Sequence, residues 1–173
     1  MRKVKIFGVF VIFGLSFLSH FMYSWFPNTL FSIIFPVNES IWEHMKLIVS
    51  PVLIFSLIEY IIYRIKNIHY NNFIFSYSVS MIVGIISYLI IYLPIDYIFG
   101  HSAAVAISLL FVIFILIEVI SYYIMRYREI KYSSIIGVGL IILMYIIFGY
   151  LSYNPIEIDL FYDKNKKIYG IPK

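Results

Sequence analysis

Asn38, Glu39, Ser40, Ile41, Trp42, Glu43, His44, Met45 and Lys46 place two carboxylates, an imidazole, an amide, a hydroxyl, an indole and an ammonium in nine consecutive residues. The chain before them is nearly pure hydrocarbon, with no Asp, Glu, Lys or Arg in residues 6–38. Carboxylates and imidazoles are ligands for zinc and manganese, and the same groups serve as general acid and general base. Glu39, Glu43 and His44 supply them within the motif. His20, in the apolar run upstream, and His101, in a later loop, are imidazoles that other segments can add. One reading is therefore a divalent metal held by members of the set Glu39, Glu43, His44, His20 and His101. A second is acid–base catalysis by Glu39, Glu43, His44 and His20.

A structural reading accounts for much of the same motif. Ser40 and Glu43 form the S-x-x-E pattern of a capping box, which starts a helix at Ile41. Lys46 follows Glu43 by three residues, a helical pairing distance. Trp42 has the chemistry of a membrane-interface anchor. Asn38-Glu39-Ser40 also matches a glycosylation sequon, a pattern too common to carry weight. His101, beside Gly100, reads more readily as a solvated loop side chain. Ser16, His20 and Tyr23 or Ser24 share one helical face, so the imidazole of His20 belongs to a polar stripe that seeks partners inside a bundle.

Two further acids, Glu59 and Glu118, lie within apolar runs and precede the basic residues Arg64 and Arg126. An ionised carboxylate in hydrocarbon is costly, so each must be protonated or paired. Their matched depth suits a small proton-coupled carrier; bonding to tyrosines or reaching toward the basic loops is the structural alternative.

The elements that position these groups follow from composition. The 173 residues are 62% hydrophobic and 13% charged, where a soluble domain carries about 25% charge. Mean hydropathy is +0.94. That is too little polar surface to coat a water-soluble globule, so the expected partner is the lipid bilayer. Runs of about 20 apolar residues span a bilayer, and five fit the chain, at 5–26, 48–66, 72–95, 103–125 and 133–152. The first run lacks a small-x-small cleavage site and reads as a retained helix rather than a signal peptide. The expectation is an all-α integral membrane protein: one bundle of about five transmembrane helices over 1–153. A re-entrant or interfacial segment follows the first helix at 27–36, and a short polar tail occupies 154–173. Pro51 is expected to kink the second span or to separate an interfacial turn from it, and Pro94 to open a loop running to His101. Ile156-Glu157-Ile158-Asp159-Leu160 alternates like a strand, and Asp163-Lys164-Asn165-Lys166 suits a turn before Ile168-Tyr169-Gly170-Ile171.

Lys and Arg placement sets the orientation. The N-terminus holds Arg2, Lys3 and Lys5, the next loop on that side Arg64 and Lys66, and the third Arg126, Arg128 and Lys131. A plasma-membrane protein with its N-terminus in the cytoplasm and its C-terminal tail outside satisfies the rule, apart from the tail lysines. Trp25, Trp42, Tyr92, Tyr97, Tyr150 and Tyr153 then make one aromatic belt, and Tyr63, Tyr70, Tyr127 and Tyr132 the other. The net charge of +4 sits at the ends of apolar runs, a topology signal rather than a nucleic-acid patch. Without cysteine, disulfides and thiolate metal sites are excluded. In this orientation His20, Glu39, Glu43, His44, Asp96, His101, Glu157 and Asp159 all gather at the outer face. Residues 55–59 and 114–118, like 93–96 and 154–157, also hint at a parallel internal duplication.

His20-Phe21-x-Tyr23-x-Trp25, Pro36-Val37-Asn38-Glu39-Ser40-x-Trp42-Glu43-His44-x-Lys46 and Leu160-Phe161-x-Asp163…Tyr169-Gly170-Ile171 resemble a family of small bacterial multi-pass membrane proteins catalogued as a domain of unknown function. In that family two prolines usually follow the tail Asn, whereas Asn154-Pro155 is followed here by Ile156. The resemblance implies a multi-pass fold and no particular activity.

No H-E-x-x-H, G-x-S-x-G, Walker or dinucleotide motif is present, and no residue is singled out for an organic cofactor. Three classes stay open: a membrane-face metal or catalytic site, a proton-coupled carrier using Glu59 and Glu118, and a structural or accessory subunit. The sequence names no protein partner and no oligomeric state.

Overall fold

The computed structural model describes residues 1–171. Helices α1 (Arg2–Trp25), α2 (Thr29–Ile34), α3 (Ile41–His44), α4 (Lys46–Ile65), α5 (Phe73–Phe99), α6 (Ala103–Arg126) and α7 (Ser133–Tyr153) make the chain all-α. Five segments are long and apolar enough to cross a membrane: α1, the α3–α4 unit Ile41–Ile65, α5, α6 and α7. Large apolar side chains such as Ile65, Ile90, Ile135 and Ile146 stand exposed on the outer faces. That is the surface a bilayer covers and water would not tolerate.

Helix α1 packs against α4 and α6, α5 against α6 and α7, and α2 against α7. Many buried serines are spent inside their own helices: Ser16, Ser56, Ser76, Ser78 and Ser121 each donate to the carbonyl three residues before. This removes hydroxyls from the hydrocarbon without a partner helix. Small residues allow close approach elsewhere. A Cβ on Gly137 would lie 2.6 Å from the backbone nitrogen of Phe75, so α5 and α7 touch backbone to side there.

Segment 27–36 is the short helix α2 folded against α7. Asn28 caps it by accepting from the Phe31 amide at 3.0 Å, and Ser32 meets the Tyr153 hydroxyl at 3.0 Å. Two helix expectations are corrected. The break in the second span falls at Met45, where the Met45 and Ile48 amides both bond three residues back; Pro51 lies within α4. Pro94 likewise lies within α5, which continues to Phe99 and ends on Gly100 at φ +78°.

Asn71 and Asn72 lash the α4–α5 turn to the α6–α7 turn. The Asn71 amide donates to Met125, the Asn72 side-chain nitrogen donates to the Arg128 carbonyl at 3.0 Å, and its oxygen accepts from the Ile130 amide at 2.9 Å. A duplication would make α6–α7 correspond to α4–α5, and the packing differs between the two pairs: α4 lies against α5, whereas α7 packs on α5 and α2 rather than on α6.

In the tail, residues 156–160 are not a strand: among the described residues they pair with no other segment, and Ile156 and Ile158 are exposed. A 3-10 turn (Asp159–Phe161) leads into β1 (Tyr162–Asp163), which pairs antiparallel with β2 (Ile168–Tyr169). The Asp163 carboxylate accepts the Asn165 and Lys166 amides and so closes the hairpin turn. The aromatic belts are smaller than expected. Trp25, Tyr97, Tyr150 and Tyr153 are exposed at one end and Tyr127 and Tyr132 at the other, while Tyr63 and Tyr92 are buried. Trp42 packs its indole between Phe148 and Phe161 instead of facing lipid.

Gly137→Ala is expected to lower unfolding stability in detergent by about 1–3 kcal/mol, because the obstacle is α5 backbone that cannot rotate away. Gly139→Ala, two residues on, meets nothing within 4 Å and should leave the melting temperature unchanged or raise it. Equal tolerance of both would show that α5 and α7 do not approach this closely.

Candidate functional site

At the α3 end of the bundle, three candidate residues from three segments meet. His20 comes from the last turns of α1, Glu39 from the loop before α3, and His44 from the end of α3. The Glu39 carboxylate oxygen Oε2 lies 3.4 Å from His20 Nε2 and 3.4 Å from His44 Nε2. One ligand atom from each of the three falls within 4.8 Å of the others. His44 Nδ1 lies 2.8 Å from the Ser40 carbonyl. A carbonyl has no proton to give, so Nδ1 is the donor, and Nε2 is the nitrogen that faces Glu39.

The loop that presents Glu39 is buried, and buried backbone N–H groups need acceptors. Side chains supply them. The Val37 amide donates to Glu43 Oε2 at 3.1 Å, the Glu39 amide to Asp163 Oδ2 at 3.0 Å, and the Ser40 amide to Asn38 Oδ1 at 2.9 Å. Asn38 Nδ2 in turn donates to the Gly170 carbonyl at 2.7 Å. Gly170 has φ +64°, and a Cβ there would meet the Ser152 carbonyl at 2.6 Å, so glycine is required. The tail hairpin therefore clasps residues 38–39 from outside, leaving the Glu39 side chain to the histidines.

Glu43 has a different place from its neighbour Glu39. Its carboxylate is buried with Lys46, whose Nζ lies 2.7 Å from Oε2 with both side chains at most 2% exposed. Ser152 donates to the other oxygen. Lys46 Nζ also donates to the Ser32 carbonyl at 2.6 Å and approaches Ser152 Oγ at 2.8 Å. Only half the capping box forms. Ser40 Oγ accepts from the Glu43 amide at 3.3 Å, but the Glu43 carboxylate bonds Val37 rather than Ser40. Glu43 is thus part of an internal ion pair linking α2, α3, α4 and α7, turned away from the histidines.

His101 stands nearby on a second small cluster. Its Nδ1 lies 2.9 Å from the Tyr92 hydroxyl and 3.4 Å from Asp96 Oδ1, and Lys164 of the tail reaches Asp96 Oδ2 at 2.9 Å. His20, Glu39, His44, Tyr92 and His101 all line one cavity of about 260 Å³, whose walls are otherwise mostly apolar. Glu157 and Asp159 are exposed on the tail.

Glu59 and Glu118 meet deep in the bundle around a residue counted in the sequence only as a terminal charge. Lys5 Nζ lies 2.8 Å from Glu59 Oε2 and 3.2 Å from Glu118 Oε2. It also donates to Ser121 Oγ at 2.8 Å and to the Tyr77 hydroxyl at 3.1 Å. Tyr63 and Tyr77 donate to the two oxygens of Glu59. Lys5, Tyr77, Asp163 and Ser152 are the residues sequence reasoning missed as site-builders. The available signal was the expense of placing a lysine beyond the first helical turn of an apolar span, where only buried acids can neutralise it.

Replacing Lys46 with Met leaves Glu43 as an unpaired buried charge, which costs about 3–5 kcal/mol. Lys46→Met/Glu43→Gln should recover much of that loss, read as a non-additive double-mutant cycle in chemical denaturation. Additive losses would mean that the two groups do not form one buried pair.

No curated protein and no solved structure matches this chain. The family of unknown function DUF6512 matches residues 1–171. The match runs from α1 through the tail hairpin, and the chain belongs to that family.

Proposed function

We propose that His20, Glu39 and His44 form a binding site for a zinc-class divalent cation, with a fourth coordination position facing the apolar cavity. Two separations of 3.4 Å with a fixed tautomer at His44 carry this reading. A charge-assisted N–H···O bond is about 2.7–2.9 Å, so 3.4 Å is long for a direct imidazolium–carboxylate pair. It falls within the edge of a tetrahedron with metal–ligand bonds of about 2.0–2.2 Å, roughly 3.3–3.6 Å. Two imidazoles and one carboxylate are a sufficient protein ligand set, and three protein ligands with one open position mark catalytic rather than structural zinc. His44 Nδ1–H on the Ser40 carbonyl is the outer hydrogen bond that such a ligand ordinarily makes.

The carrier alternative would need Glu59 and Glu118 free to exchange protons. Glu59 instead accepts from Lys5, Tyr63 and Tyr77, and the shared ammonium of Lys5 supports an internal tie between α1, α4 and α6.

The site lies, on this reading, at the non-cytoplasmic face of a cell membrane. Arg2, Lys3, Arg64, Lys66, Arg126, Arg128 and Lys131 flank the opposite ends of the spanning helices. Lys5 and Lys46, one toward each end, are buried, and setting both aside leaves the excess on that side unchanged.

Protein purified in detergent and dialysed against zinc should retain about one ion per chain. His20→Ala, Glu39→Gln and His44→Ala should each weaken binding by at least about 100-fold, whereas His101→Ala should bind as the parent does. Metal-free parent protein, or three variants that bind normally, would end the metal reading. Orientation is tested separately, since the chain has no cysteine. A membrane-impermeant maleimide should label Lys166→Cys in intact cells and Lys131→Cys only after the membrane is opened; the reverse pattern sinks the proposed orientation.

A further inference from the structure

His20 and Glu39 line a second cavity as well as the first. It holds about 310 Å³ and is lined in addition by Ser24, Asn38 and Lys166. His20 and Glu39 thus stand between two spaces, while His44 lines only the first. The second is walled by Phe21, Pro27, Pro36 and Val37 as well, and differs from the first in carrying Ser24, Asn38 and the ammonium of Lys166. The first space is walled by Phe17 and Ile107, both well exposed on the outer surface, and by Ala106 and Leu110 further along α6. Those side chains lie on helices long and apolar enough to cross a membrane, so the cavity mouth between α1 and α6 opens where acyl chains lie. The second space faces the tail hairpin, and the exposed ammonium of Lys166 has no carboxylate partner among the described residues.

We infer that the site takes an anionic amphiphile. Its hydrocarbon chain lies in the cavity between α1 and α6, its phosphate-type headgroup lies toward Lys166, and the polar junction of the molecule rests at the His20–Glu39–His44 triangle. This inference rests on the metal reading above and extends it to a class of ligand. A wholly apolar molecule would leave the second cavity and its ammonium unused, and a small anion would leave the first cavity unfilled. A membrane lipid brings both parts, and it arrives laterally through the gap beside Phe17 and Ile107. The tail hairpin has a direct part in recognition, because the turn that Asp163 closes is the turn that carries Lys166.

The test uses zinc-loaded, detergent-purified full-length protein and three probes: dioctanoyl phosphatidic acid, glycerol 3-phosphate and dioctanoylglycerol. Phosphatidic acid should bind at least about tenfold more tightly than either fragment molecule, since each fragment forgoes one of the two cavities. Ala106→Trp, which fills the apolar cavity, and Lys166→Glu, which reverses the headgroup charge, should each weaken phosphatidic acid binding by about tenfold or more. Zinc content should be unchanged in both. Lys166 is exposed, so its variant tests the idea even if Ala106→Trp fails to fold. Glycerol 3-phosphate binding as tightly as the lipid would reassign the site to a free phosphate compound and overturn the inference. Unchanged lipid affinity in zinc-replete variants would also overturn it, while leaving the metal reading intact. A parent protein that holds no zinc would remove both.

Discussion

An ammonium group with no access to water decides how one end of this bundle is built. Lys46 is fully buried among helices that present hydrocarbon to the outside, and it must satisfy its protons from protein atoms alone. It does so with the Glu43 carboxylate, the Ser152 hydroxyl and the Ser32 carbonyl. Those three acceptors belong to α3, α7 and α2. One desolvated charge therefore fixes three other elements, and the loop between α2 and α3 is closed over the pair. Glu43 then has a carboxylate oxygen positioned for the Val37 amide. The ion pair and the loop conformation are a single arrangement, because neither is satisfied without the other.

The opposite end solves the same problem with Lys5, Glu59, Glu118 and two tyrosines. Comparing the two ends separates acids that hold the fold from the acid left for chemistry. Glu43 faces Lys46, and Glu59 and Glu118 share Lys5, so each of these acids is tied to an ammonium inside the bundle. Glu39 faces only imidazoles, at a distance where neither makes a good direct bond. It is about two-fifths exposed, at the junction of two cavities. An acid held in place through its backbone by Asp163, yet without a cation of its own, is what the proposed metal site requires.

Much of this was legible in the sequence. Apolar run length gave five spans because a helix in hydrocarbon bonds itself, so length and hydropathy alone define it. His20, Glu39 and His44 were legible as candidates from residue type. Their separation from Glu43 was legible only in part: the capping box starts the helix at Ile41 and leaves Glu39 before it, but the direction in which the loop turns is not written in the spacing. The helix begins only at Ile41, so the loop turns Glu39 toward α1 while the helix turns Glu43 toward α7. Lys5 was hidden for a related reason: a positive charge near an N-terminus reads as a topology signal, and only packing reveals that it points inward. Trp42, Tyr63 and Tyr92 have the chemistry of interface residues, but burial depends on which face of the helix they occupy. Pro51 and Pro94 did not break their helices, since neighbouring helices and side chains can accommodate a missing N–H at these positions.

The clasp of residues 38–39 by Asp163 and Gly170 joins the second loop of the chain to a hairpin more than a hundred residues later. During synthesis, α1 and α3 enter the bilayer long before that hairpin has left the ribosome. His20 and His44 are then present, but the Glu39 amide and the Asn38 side chain still lack the tail groups that accept from them. The nascent protein thus passes through membrane insertion with its pocket unassembled, and the closing event is the docking of a water-exposed flap rather than the arrival of another helix. The conformation of residues 38–39 is in this sense fixed late, by a segment that follows every span.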